Sequence, residues 1–146
     1  MTEVLILTQI AGRACALRAS DVETVIEIDA ITPVPRAPKH IAGLTTLRSQ
    51  ALTVIDSRVV IGEMPSAYPT DNRAVVFRTD GHSYALRVDA LHDVDEMLSQ
   101  PEQITGGFGA VWSRLAEGMV ETQAGPALLL KASELARTGE DARGIH

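Results

Sequence analysis

The sequence predicts a mainly β chain of about ten short strands with short helical segments, folded as two small barrels. Three observations carry that expectation. The densest apolar runs, Val4 to Leu7, Ala74 to Phe77 and Ala127 to Leu130, are each four residues long, which is strand length. Residues 5–18 lie over residues 74–87 at a constant offset: Leu5-Ile6-Leu7 falls on Ala74-Val75-Val76, Gly12 on Gly81, and Ala16-Leu17-Arg18 on Ala85-Leu86-Arg87. Pro33, Pro35 and Pro38 exclude a helix interior or a central strand from the middle of the first half.

In chain order, each copy of the repeat reads as a hairpin, turned at Ala11-Gly12 and at Asp80-Gly81. A slip of three residues then aligns Asp21-Val22-Glu23 with Asp93-Val94-Asp95. Val25, Ile26 and Ile28 lead into an extended crossover through Pro33 to Pro38. Ile41, Leu44 and Leu47 recur at threes, the spacing of a short helical turn with one buried face. Leu52, Val54 and Ile55 predict a strand, and Val59-Val60-Ile61 another that ends at Gly62. Glu63 to Asn72 predicts a linker. In the second half, Val88 to Leu98 approaches alternation, Ser99-Gln100-Pro101 breaks it, and Gly106 to Gly109 marks a loop. Met119 to Thr122 and Ala127 to Leu130 predict a closing hairpin turned at Gly125-Pro126. Ser133 caps a short helix to Arg137, and Thr138 to His146 predicts a loose tail.

Composition narrows the function. At 146 residues and 45% hydrophobic content, folding buries roughly 68% of the unfolded surface, enough for a core without staples. A net charge of −6 repels a phosphate backbone, which argues against nucleic acid. Five aromatic residues are too few for a stacking platform. Cys15 stands alone, so neither a disulfide nor a thiolate zinc site can form within the chain, and a reducing compartment fits. The acidic start Met1-Thr2-Glu3 is unlike a secretory signal, and no run of 18 apolar residues exists, so no membrane insertion is expected.

Catalytic and cofactor patterns are missing. His40, His82, His92 and His146 include no pair at the spacing of a zinc helix, and no metal or other cofactor is expected. Gly107-Phe108-Gly109-Ala110-Val111-Trp112 begins like a dinucleotide fingerprint but ends in Trp where the third Gly belongs. Cys15, between Ala14 and Ala16, reads as an inert buried thiol. A small enzyme using His92 with Asp93 or Asp95 is one alternative, but it lacks a nameable nucleophile or orienting group.

One ordered set of motifs points elsewhere. It comprises Val25-Ile26-Glu27-Ile28, Thr32-Pro33-Val34-Pro35-Arg36-Ala37-Pro38, Ile41-Ala42-Gly43-Leu44, Leu47-Arg48, and Leu52-Thr53-Val54-Ile55-Asp56 with Arg58. This order resembles the CheW family of chemotaxis adaptors, with its V-x-E-I, Pro-containing segment, I-x-G-L, N-L-R-G and V-L-P-V-I-D-L-R. Val88-Asp89-Ala90-Leu91-His92-Asp93-Val94 is similar to the family's V-D-x-V-x-D-V, and Glu117-Gly118-Met119-Val120 leads into the closing hairpin as in members. The likeness runs from about Val4 to Leu135.

The resemblance implies one CheW-like domain over residues 1–146, made of two tandem SH3-like five-stranded barrels. Subdomain one is expected over about 13–72 and subdomain two over about 73–135, with the N-terminal strand crossing over. It implies a non-enzymatic, cytoplasmic scaffold, recruited to membrane-associated receptor arrays, that joins the cytoplasmic tip of a methyl-accepting chemoreceptor to the regulatory domain of a CheA-type histidine kinase. Carried onto this chain, the receptor interface falls on Val22, Val25, Glu27, Arg48 and Ser49, and the kinase interface on Leu44, Leu47 and Val94. Aliphatic positions in a groove suit the apolar face of a helix, and Arg is a frequent interface anchor. Ordinary strand packing for Val22 and Val25, and an exposed ion pair for Glu27 with Arg48, are the plainer readings of the same residues. Thr46, Ser49, Thr53 and Ser57 depart from the family's Asn, Gly, Pro and Leu. Those departures keep open a divergent member that binds a kinase or another signalling partner without coupling receptors.

Overall fold

A computed structural model of the chain describes residues 3–65, 72–103 and 109–137. The first half carries β1 (Val4–Ile10), β2 (Arg13–Arg18), β3 (Val22–Glu27), β4 (Ile41–Leu47), β5 (Gln50–Asp56) and the helical turn α1 (Ser57–Val60). The second carries β6 (Arg73–Thr79), β7 (His82–Arg87), β8 (Ala90–Glu96), α2 (Gly109–Leu115), β9 (Ala116–Thr122), β10 (Gly125–Leu130) and a last helical turn, α3, over 132–137. Much of the expected linker, the loop at Gly106 to Phe108 and the tail from Thr138 lie outside the described residues.

The strands form two five-stranded sheets, ordered β8-β1-β2-β10-β9 and β3-β6-β7-β5-β4. Sheet membership does not follow the expected halves 13–72 and 73–135. The repeated hairpins are exchanged: β1-β2 sits among β8, β9 and β10, and β6-β7 sits among β3, β4 and β5. Each hairpin pairs antiparallel on one side and parallel on the other, β2 with β10 and β7 with β5. Both turns hold two residues at positive φ, Ala11-Gly12 and Asp80-Gly81, the conformation whose twist suits a two-residue hairpin.

Register extends the repeat further than the sequence pattern does. Val22, Val25 and Glu27 face Phe77, Val75 and Arg73, while Leu91, Val94 and Glu96 face Thr8, Ile6 and Val4. The offset of 69 that superposes the hairpins therefore also superposes β3 on β8, so the three-residue slip is corrected. Both strands carry a bulge, which disguises the match because it breaks the period of two. Leu44 facing Thr53 and Met119 facing Leu128 continue the symmetry through the last two strands.

Three local expectations are also corrected. Ile41 to Leu47 is strand, with Gly43 and Thr45 inward and Leu44 and Thr46 outward; the spacing of three was no helical face. Val59 and Val60 are helical because the Asp56 side chain accepts the Arg58 amide at 3.1 Å and caps α1. Ser133 lies inside its helix, whose first turn closes on the Lys131 carbonyl, and the closing hairpin turns at Gln123-Ala124, one step before Gly125-Pro126.

One isolated bridge ties the segment after β3 to β4, and another ties the segment after β8 to β9. Thr32 exchanges backbone hydrogen bonds of 2.8 and 2.9 Å with Leu44, and Glu102 does the same with Met119. Three cores result. Leu5, Ala16, Val120 and Leu129 fill one barrel, and Leu52, Val54, Ala74 and Val76 fill the other. A larger central core draws Ile6, Ile10 and Leu17 from the first sheet and Ile55, Val75, Phe77 and Leu86 from the second. Consecutive residues of β1 and β6 are thus buried on opposite faces, the reason these strands read as unbroken apolar runs.

Candidate functional site

The expected site residues fall into three places. Val22, Val25 and Glu27 lie on β3, an edge strand that among the described residues pairs only with β6. Three positions apart in a regular strand, Val22 and Val25 would point to opposite faces. The bulge between Val22 and Thr24 instead places them opposite Phe77 and Val75, both members of the central core. Val22, Val25 and Glu27 therefore share one face. Val22 packs partly into the core, Val25 is 38% exposed and Glu27 is exposed.

Leu44, Leu47, Arg48 and Ser49 lie on β4 and its turn, at the opposite edge of the same sheet. Leu47 packs partly into the smaller core, Leu44 is 37% exposed, and Arg48 and Ser49 are exposed. Among the described residues no ion pair joins Glu27 to Arg48. Arg48 and Ser49 both have positive φ, 51° and 68°, in a two-residue turn closed by Leu47 and Gln50. Ser49 thus holds, at a cost of about 1–2 kcal/mol, the backbone that a glycine would adopt freely. Val94 stands apart on β8 of the first sheet, 65% exposed, at the position that symmetry relates to Val25.

A groove of about 490 Å³ runs where the two sheets meet, lined by Arg18 and Glu117 from the first sheet, Val22, Glu23 and Arg78 from the second, and Lys131 before α3. Of the expected residues only Val22 reaches it. Its charged wall was not anticipated. Arg18, at the end of β2, donates to Glu117 on β9 through both terminal nitrogens and to Glu3 through Nε at 2.8 Å. The bonds to Glu117 span β10, the strand between β2 and β9. The repeated Ala-Leu-Arg was the available signal, but it said nothing of the partner.

Hydrogen bonding from Arg18 holds the Glu117 carboxyl below its ordinary value of 4.5, and the bond to Glu117 is the main cause that raises the Arg18 guanidinium. A depressed carboxylate stabilises the fold above its unfolded pKa and loses that contribution as pH falls through its folded one. Glu117→Gln is therefore expected to lower the urea midpoint by a constant amount above about pH 5.5, with the gap to the parent closing at more acidic pH. A gap that stays constant down to pH 3 would contradict this.

Two of the groups considered for chemistry, Cys15 and Asp95, are buried or bonded elsewhere. Cys15 is buried, and burial pushes its thiol up to about 12, leaving no thiolate near neutral pH. The Asp95 carboxylate accepts the Glu96 amide at 2.7 Å and the Ala124 amide at 3.2 Å, tying β8 to the β9–β10 turn. Among the described residues no three His, Cys, Asp or Glu side chains gather as a metal site would require.

Comparison with known proteins agrees with the fold. The family model of the CheW-like domain matches residues 4–140. The chain is similar to the crystal structure of the scaffolding protein TtCheW from Thermoanaerobacter tengcongensis, with a TM-score of 0.80 at 24% identity over 92% of this chain and 88% of that one. No curated protein matches the chain significantly.

Proposed function

The chain belongs to the CheW-like domain family, and from that premise we propose that it is a non-enzymatic scaffold coupling the cytoplasmic tip of a chemoreceptor to the regulatory domain of a CheA-type histidine kinase. The observation that carries this reading is the face of β3. An edge strand presents Val22, Val25 and Glu27 in one line, beside a groove that one of them enters. An apolar pair with an acid at its end suits the apolar face and a flanking base or amide of a helical hairpin. Arg48 and Ser49 at the β4–β5 turn belong to the same receptor surface in this reading, and Leu44, Leu47 and Val94 to the kinase surfaces. A cytoplasmic location beside membrane-bound receptors follows from the role. No helix of the described residues is long and apolar enough to cross a membrane.

Isothermal titration against a receptor-tip fragment and against a CheA-type regulatory domain tests the proposal. Saturable binding to both is expected. Val25→Asp, at a half-exposed position, is expected to weaken receptor binding by tenfold or more and to leave kinase binding within about twofold; Arg48→Ala should weaken the receptor arm alone. Binding to the kinase alone would overturn receptor coupling and favour the divergent adaptor, to which the strained Arg48-Ser49 turn would belong. Binding to neither would overturn both.

A further inference from the structure

The internal symmetry places a pocket in one barrel where the other is filled. The offset that carries Leu44 to Met119 also carries Leu47 to Thr122 and Leu52 to Ala127: Leu47 opposes Gln50 as Thr122 opposes Gly125, and Leu52 opposes Thr45 as Ala127 opposes Val120. Leu52 is buried in the small core of the second sheet, and Leu47 packs partly against that core. In the first sheet these two leucines are a threonine and an alanine, both buried. A pocket of about 190 Å³ opens there, between β8 and the β9–β10 turn, with Leu7, Ala14, Pro126 and Ala127 supplying apolar wall. Gln9 and His92, both exposed, line it as well. The Thr122 hydroxyl is committed to its own turn, donating to the Gly125 carbonyl at 2.7 Å and accepting the Ala124 amide at 3.2 Å.

We propose that this pocket binds a neutral small molecule with a phenyl- or isobutyl-sized body and one hydroxyl or carbonyl group. Size sets the body. Benzene fills an engineered apolar cavity of about 150 Å³ in another protein, and the side chains that occupy the counterpart of this place are themselves isobutyl groups. Charge sets the rest. Among the described residues no Asp, Glu, Lys or Arg lines the pocket, so an ionic ligand would lose water without gaining a counter-ion. The amide of Gln9 and the imidazole of His92 offer hydrogen bonds to a single polar group at the mouth. None of these residues belongs to the receptor or kinase surfaces proposed above, so the site stands independently of that reading.

The probes are benzyl alcohol and isoamyl alcohol, titrated into the isotope-labelled full chain and followed by the amide resonances of His92, Ala124 and Ala127. Saturable shifts at these amides are expected, with a dissociation constant of about 1 mM or lower. Benzoate and benzylammonium, which carry the same ring with a charge, should bind at least tenfold more weakly. Ala127→Leu restores the counterpart's side chain and should abolish binding while leaving the melting temperature at or above the parent's. Ala14→Leu, at an exposed position on the wall, should weaken binding tenfold or more without touching the core. His92→Ala should weaken benzyl alcohol severalfold and leave toluene unchanged. No saturable shift, shifts centred elsewhere in the chain, charged probes that bind as tightly as benzyl alcohol, or binding retained in both leucine variants would each overturn the proposal.

Discussion

Gly43→Ala is expected to destabilise the protein by about 3 kcal/mol or more, lowering its melting temperature by roughly 10 °C, and Gly118→Ala by about 2 kcal/mol. Each glycine sits next to a residue of an isolated bridge, Gly43 beside Leu44 and Gly118 beside Met119. A Cβ on Gly43 would press into the Thr32 carbonyl oxygen and lie 2.7 Å from Ile31 Cγ2, and one on Gly118 would lie 2.6 Å from the Glu102 carbonyl oxygen. The obstacle in each case is backbone, which cannot rotate away as a side-chain end can. Gly43 also has φ 148°, a conformation in which L-residues are strained. Relief requires moving the Thr32 or Glu102 segment and with it the two hydrogen bonds of each bridge. Gly12→Ala is the control, because its Cβ meets nothing within 4 Å and only the turn conformation resists it. Thermal unfolding of the three variants checks the order, and a Gly43→Ala protein melting within 2 °C of the parent would refute the steric account.

Phe77→Ala is expected to cost about 3–5 kcal/mol and to do so in one cooperative transition. Phe77 is 1% exposed and stacks on Tyr84 with ring centroids 5.6 Å apart. It belongs to the central core shared by both sheets, so its removal leaves a cavity that neither barrel can close alone. At the positions symmetry relates to this pair, the first sheet carries Thr8 and Cys15, paired with one another across β1 and β2. The two copies have diverged into a large pair and a small pair within one core. Urea unfolding followed separately by Trp112 fluorescence, which reports α2 over the first sheet, and by far-ultraviolet dichroism should give coincident midpoints, both shifted by the substitution. Two separated transitions would show that the barrels fold independently.

Much of the architecture is legible in particular residues. The hairpins were readable because Gly12 and Gly81 supply the positive φ that a two-residue turn needs. The continuous runs at Val4 and Ala74 were readable as strands from their length. The misread elements are those where a local pattern competes with a distant partner. Ile41, Leu44 and Leu47 mimic a helical stripe, yet β5 and the bridge at Thr32 hold that segment extended. The apolar Val59-Val60 is helical because the carboxylate of Asp56 caps it, and a single cap is a weak signal within a β-rich stretch.

The sequence by itself determined the strand content, the duplicated unit, the isolated inert cysteine and the order of motifs that marks the family. These depend on composition, turn chemistry and spacing, which are local properties of the chain. Tertiary structure alone decided which strands pair, because exchanging the two hairpins leaves every local preference satisfied while changing the sheet each one joins. It decided too that a bulge aligns Val22 with Val25 and that Arg18 meets Glu117 across an intervening strand. Each of these is a contact between residues far apart in the chain, and such contacts are set by how whole sheets pack rather than by any neighbour's identity.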